Sequence, residues 1–160
     1  MTSTLDAAKA WRDQDPDEIT RAELDALIVD AELGLGPAVV DLDARFASRL
    51  EFGTAGLRGE LGAGPTRMNR VLVSQAAAGF AAYLTSRNDN PSIVIGYDGR
   101  TNSEVFARDT AVLMAGAGVR AILLPRHLPT PVLAFAVRHF SASAGEIGRA
   151  SCRERVLYTV

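Results

Sequence analysis

Cysteine is nearly absent. Cys152 is the only one in 160 residues, which excludes an internal disulfide framework and a multi-cysteine metal site. Lysine is equally scarce: Lys9 stands alone and arginine supplies every other basic side chain, a pattern of coding bias more than of mechanism. Neither charge sign dominates, with 17 basic against 19 acidic residues. No basic face stands out, so a nucleic-acid partner is not expected. No uninterrupted apolar run is long enough to cross a bilayer, and the first residues, Met1-Thr2-Ser3-Thr4-Leu5-Asp6, lack the basic start and apolar core of a signal peptide. A cytoplasmic protein with no membrane partner is the expectation. Internal repeats and low-complexity segments are also missing.

What is present is a soluble, globular composition, 48% hydrophobic, with enough chain to bury a core. The first third reads as helical. Thr20 followed by Glu23 matches a capping box, and Leu24, Leu27, Ile28 and Ala31 recur at helical spacing up to Gly34. Pro16 sits where a chain enters a helix, and residues 39–50 read as a further helix. From Arg70 the pattern alternates. Residues 71–84 read as a helix, 93–97 as a buried strand, 104–115 as a helix closed by Gly116 and Gly118, 119–124 as a strand, and 131–140 as a helix with Pro131 in its first turn. Ser103 is the expected N-cap of the 104–115 helix. Such alternation predicts an α/β fold, a three-layer α/β/α domain with a mixed, mainly parallel sheet, preceded by a helical N-terminal extension. Ligands in such sheets gather beyond the carboxyl ends of the strands. Residues 98–103 and 128–130 occupy those positions.

The stretch Phe52-Gly53-Thr54-Ala55-Gly56-Leu57-Arg58-Gly59, continued by Gly62, Gly64 and Arg67-Met68-Asn69, carries most of the chemistry. Glycines allow tight turns and close approach to backbone N–H groups, while Thr54 adds a hydroxyl and Arg58 a planar fork suited to phosphate. The same residues also suit a plain glycine-rich turn. Cys152 with His127 or His139 could form a thiol–histidine pair, but nothing in the spacing fixes its geometry, and isolated histidines near helix ends are usually structural.

Three motifs occur in one order: the glycine loop, Ile95-Gly96-Tyr97-Asp98-Gly99-Arg100-Thr101-Asn102-Ser103, and Thr130-Pro131 before an Ala/Val-rich helix. Together they resemble the first domain of the α-D-phosphohexomutases, the phosphoglucomutase and phosphomannomutase family, over residues 49–145. The resemblance implies an isomerase of carbohydrate metabolism that transfers a phosphoryl group between C1 and C6 of a hexose phosphate through a phosphoserine. It also implies Mg²⁺ and a hexose 1,6-bisphosphate activator, and a sugar phosphate as the small-molecule partner. On this resemblance Thr54, Gly56 and Arg58 bind phosphate, and Asp98, Arg100 and Ser103 brace the neighbouring catalytic loop. For Asp98, Arg100 and Ser103, a salt-bridged loop with a helix cap remains an equal alternative. Thr130-Pro131 reads as a helix start. A different class of function, a non-catalytic phosphosugar- or anion-binding module, would use the same loop.

The chain departs from the family after Ser143-Ala144-Gly145. The family continues through apolar residues into T-A-S-H-N-P, whose serine carries the phosphoryl group. In ungapped register Ala150-Ser151 falls on A-S, making Ser151 the candidate phosphoserine, but Arg149, Cys152, Arg153 and Glu154 replace its neighbours. Glu146, Gly148 and Arg149 also stand where a buried strand should be apolar. Either Ser151 is a degenerate phosphoserine position, or residues 146–160 are not family sequence. The expected division is a helical extension at 1–48, the family domain at 49–145, and an atypical tail. The metal loop and the sugar-reading loop of the family have no counterpart, so no metal site is expected and the chain alone is expected to be inactive.

Overall fold

The structure, a computed structural model, describes residues 3–53 and 56–148, and the backbone of 155–158. Thr54 and residues 149–154, with Ser151 and Cys152 among them, lie outside the described residues. The chain divides into two compact units, Met1–Glu51 with Gly59–Leu72, and Phe52–Arg58 with Val73–Val160.

The first unit is built on α1 (Thr4–Gln14), α2 (Glu18–Glu32) and α3 (Gly36–Phe46). Their apolar faces meet at Ala8, Trp11, Leu24, Ile28 and Leu42, and Ala63 and Val71 from the later segment join the same core. Trp11 and Phe46 meet edge to face at 6.2 Å, a favoured arrangement for aromatic quadrupoles. The capping box lies at Ser3 and Asp6, which bracket the start of α1. Thr20 and Glu23 do not form one. Asp17 caps α2 by accepting from the Ile19 N–H, and the Thr20 hydroxyl, inside the first turn, donates to Asp15 Oδ2 at 2.7 Å. Asp17 precedes Thr20 and so claims the first free N–H groups. α3 ends at Phe46, four residues before the expected Leu50.

In the second unit β1 (Phe52–Gly53) and β2 (Gly56–Leu57) form a short antiparallel hairpin. α4 (Arg70–Arg87) starts in the first unit and continues into the second. There follow β3 (Ser92–Tyr97), α5 (Ser103–Gly116), β4 (Arg120–Leu123), α6 (Thr130–His139), β5 (Ala144–Gly148) and β6 (Arg155–Tyr158). The sheet order is β4-β3-β5-β6, with β4, β3 and β5 parallel and β6 antiparallel. This is the expected mainly parallel α/β sheet, and β3 lies inside it with residues 93–97 buried. Strand alternation sorts the two faces. Ile93, Ile95 and Tyr97 pack with α4 and α5 through Ala81, Leu84, Ala107 and Met114. Val94 and Ile147 pack with α6 through Leu133 and Val137. Each fully buried aliphatic side chain here is worth about 1.5–3 kcal/mol. The approach of α6 requires a residue without a side chain at 145, because a Cβ there would stand 2.5 Å from Val137 Cγ2.

Residues 146–148 complete β5 and all are buried. Glu146 therefore faces α5 from the interior, opposite Ile95 in the register. It is the kind of polar residue that the apolar pattern of a two-sided sheet disfavours.

Candidate functional site

The carboxyl ends of β3 and β5 lie side by side, with Tyr97 paired to Gly148. The loop after β3 folds back on itself. Asp98 Oδ1 accepts from the Ser103 hydroxyl at 2.8 Å and from the Arg100 N–H at 3.2 Å, and Arg100 Nε stands 3.4 Å from Asp98 Oδ2. Asn102 occupies the N-cap position in a left-handed conformation, φ 62°, and makes no side-chain cap bond. Ser103 is thus the first residue of α5, which begins one residue earlier than expected, and its side chain turns to Asp98. The residues Asp98, Arg100 and Ser103 are joined to one another by these bonds at the strand ends. The 125–130 connection reaches the same edge, where the Leu128 N–H donates to the Tyr97 carbonyl. His127 meets Tyr97 edge to face at 5.2 Å. His139, at the end of α6, lies between Phe135 and Phe140. The two histidines hold separate aromatic contacts. Thr130 begins α6 with Pro131 in the first turn.

The glycine motif separates into two parts. Phe52, Gly53, Gly56 and Leu57 make the hairpin, with Gly56 at φ 91°. Leu57 is buried and anchors it, whereas Arg58 is exposed. Among the described residues no hydrogen bond or ion pair holds the Arg58 guanidinium. β2 lies against β6. The structure therefore gathers Asp98, Arg100 and Ser103 into one cluster and presents Arg58 separately on the hairpin.

The second part, residues 59–69, belongs to the helical unit and is structural. Asn69 is buried, and its amide donates to the carbonyls of Gly62 and Gly64 at 2.9 Å and of Arg67 at 3.1 Å. Its Oδ1 accepts from the Leu72 N–H at 2.9 Å, capping α4. Gly64 has φ 103°, and a Cβ there would stand 3.1 Å from Arg45 Cβ. The segment is fastened further by Glu23 and Arg45, whose guanidinium bonds Glu23 Oε1 at 2.6 Å and Asp41 Oδ2 at 3.1 Å. Burial acts to lower the Arg45 pKa, and the hydrogen bonds to Asp41 and Glu23 outweigh it, so the guanidinium is held above its usual value. The sequence reading gave Glu23 and Asn69 other roles. An asparagine directly before the apolar helical run was a signal for the second; the 22-residue separation of Glu23 from Arg45 offered none for the first.

Glu146 is the chain's outlying titratable group. Burial pushes its pKa up from 4.5 to about 7, against the opposing effect of the Thr110 hydroxyl, which donates to Oε1 at 3.3 Å.

The family model for phosphoglucomutase/phosphomannomutase, alpha/beta/alpha domain I, matches residues 49–152. The chain belongs to this family. A probable phosphomannomutase of Haemophilus influenzae is 68% identical over 84 residues, covering 52% of this chain and 17% of that protein. A phosphoglucomutase of Staphylococcus haemolyticus is 45% identical over 100 residues, covering 62% of this chain and 18% of its own length. Among solved structures, a putative phosphomannomutase from Thermus thermophilus superposes with a TM-score of 0.57 at 32% identity, over 62% of this chain and 22% of that one. The chain thus spans less than a fifth of the curated relatives it matches. The phosphohexomutase match extends seven residues beyond Gly145, through the whole of β5.

Among the described residues no three His, Cys, Asp or Glu side chains come together, and the Asp98 carboxylate is already engaged by Arg100 and Ser103. Mg²⁺ demands several oxygen ligands in near-octahedral array, so the described residues do not fit it. No helix among them is long and apolar enough to cross a membrane.

Proposed function

We propose that this chain acts as the first domain of a phosphohexose mutase, with Arg58 as a phosphate-binding group supported by Thr54 and Gly56. The carrying observation is the exposed Arg58 on its hairpin in a chain of this family. Phosphoryl transfer depends on positioning and on neutralising charge that develops on the transferring group. An exposed arginine with no carboxylate partner among the described residues keeps its fork available for that task. Asp98, Arg100 and Ser103, already bonded to one another, brace the edge from which the chain leaves β5. In the assembled enzyme, working in the cytoplasm, Mg²⁺ and a hexose 1,6-bisphosphate activator come to the reaction through parts outside this chain.

In this reading residues 1–48 are the helical extension and 49–145 the family domain; 146–160 are an atypical tail whose first seven residues the family match still covers. The burial of Glu146 with only a 3.3 Å bond from Thr110 supports its being atypical. Ser151 keeps the register of the phosphoserine without its flanking residues and is not assigned the nucleophile's role.

The test is a chimaera in which residues 1–145 replace the corresponding segment of the Haemophilus influenzae relative, assayed with glucose 1-phosphate and mannose 1-phosphate. Turnover is expected, and Arg58→Ala should reduce it by about two orders of magnitude, the usual cost of losing one charged donor at a transition state. Arg58→Lys should recover part of the loss, since a point charge cannot reproduce the fork. Full turnover in the Arg58→Ala chimaera would leave the hairpin as a simple turn.

A further inference from the structure

Helix α6 and the strands beneath it belong to one unit, the one that holds the parallel sheet. Two helices, α4 and α5, pack on one side of that sheet. On the other side, among the described elements, α6 alone lies over β3 and β5. Its inward side chains, Leu133, Ala136 and Val137, are buried. Helical spacing puts Val132, Phe135 and His139 on the outward side, and all three are exposed. Phe135 is 61% exposed, Phe140 44% and Val132 38%. The outward rings form one group: His139 stacks on Phe135 at 5.6 Å and meets Phe140 edge-on at 5.0 Å. A contiguous apolar and aromatic ridge marks a contact surface in a way that a single exposed side chain does not.

The charges around this ridge are of one sign. Helix α5 also exposes a large apolar side chain, Val112, but it spends its charges on itself, with Arg108 on Glu104 at 2.7 Å. Residues 110–145 contain no aspartate or glutamate, whereas Arg120, Arg126 and Arg138 lie among them. Arg126, just before α6, and Arg138, in its last turn, are exposed, and among the described residues no ion pair holds either.

We propose that the outward face of α6 is a docking surface for an acidic amphipathic helix of a protein partner. The partner's apolar side chains cover Val132, Phe135 and Phe140, and its rim carboxylates meet Arg126 and Arg138. Phe135 and His139, four residues apart, make the kind of ridge that lies in the groove of a second helix. The ten residues of α6 offer that helix about three turns. A second copy of the same face is disfavoured, since it sets like charges against each other. An anionic membrane is held by clustered basic residues, and two arginines at opposite ends of a helix make a poor cluster.

The probe is a synthetic helical peptide with a leucine ridge and glutamates elsewhere, titrated into the full chain against a twin carrying lysines, with backbone amide shifts as the readout. Shifts are expected at Val132, Phe135, Arg138 and Phe140 and not at Val112 of α5, and the glutamate peptide should bind about tenfold tighter than its twin. Phe135→Ser should weaken it by about tenfold, and Arg138→Glu by about fivefold while narrowing the difference between the peptides. Both side chains are exposed, so both variants should keep the parent's shifts at Val94 and Ile95. No binding at millimolar peptide, equal binding of the two peptides, or equal shifts at Val112 would overturn the proposal. Concentration-dependent shifts at Phe135 without peptide would name a second copy as the occupant instead. Sedimentation with phosphatidylserine vesicles that Phe135→Ser abolishes, without peptide binding, would name a lipid surface.

Discussion

The hairpin at residues 52–58 and the segment at 59–69 read as one glycine-rich motif in the sequence, and in the molecule they do opposite work. In the second, backbone and side chains are consumed internally: Asn69 alone makes four bonds, and Gly64 is forced by its φ and by the nearness of Arg45. In the first, Leu57 is the only buried one among the described residues, and Arg58 is exposed. Glycine content alone did not distinguish an exposed loop from a loop built into a core. The distinction is where the polar groups are spent.

The sharpest way to break the comparison is to exchange the roles. Asn69→Ala removes an α4 cap and strands the carbonyls of Gly62, Gly64 and Arg67, so it should cost about 3 kcal/mol or more in denaturant unfolding. A loss below about 1 kcal/mol would mean the segment is held by packing alone.

Glu146 supplies a contrast with Asn69 as a buried polar group that is poorly satisfied. Its folded pKa, about 7, lies above the 4.5 of an ordinary glutamate. Below about pH 4.5 the carboxyl is protonated in both states and its stability contribution is fully present. Between 4.5 and 7 the unfolded chain gives up the proton first, and stability falls as pH rises through the folded value. The total loss should be of order 3 kcal/mol. Glu146→Gln should flatten that part of the pH–stability curve, and an unchanged slope would show that Glu146 is not the group responsible.

Gly64→Ala should cost about 2 kcal/mol, combining a left-handed φ with a contact at Arg45. Gly53→Ala tests the other part of the motif. A Cβ there meets nothing nearer than the Gly56 carbonyl oxygen at 3.8 Å, so the change should stay within about 0.5 kcal/mol. Equal melting shifts for the two would erase the distinction. Smallest of all, Arg58→Ala should leave thermal stability within about 0.5 kcal/mol, because its side chain is exposed.

Much of the fold was legible. The helix at 71–84, the strand at 93–97 and the helix at 104–115 appear as α4, β3 and α5 with bounds shifted by at most three residues, because long apolar periods and glycine stops are local signals. Helix starts were less so. Thr20 has the right chemistry for a cap, but Asp17, three residues earlier, reaches the free N–H groups first, and the true capping box at Ser3 and Asp6 hides in an ordinary polar N-terminus. At the site, a salt-bridged loop at Asp98, Arg100 and Ser103 was one of two equal readings, and the bonds among them are seen, since residues two and five apart can meet within one turn.

By itself the sequence determined the α/β class, the family, and the order of α4, β3, α5, β4 and α6. These follow from periodicity and from motifs whose residues are neighbours in the chain. Only the tertiary structure decided that the glycine motif is divided between two units, that Glu23 serves Arg45 and Ala63 instead of its own helix end, and that Glu146 is buried against α5. Each of those depends on contacts tens of residues apart, where the partner is chosen by packing and by the need to satisfy buried polar groups, and neither leaves a local pattern to read.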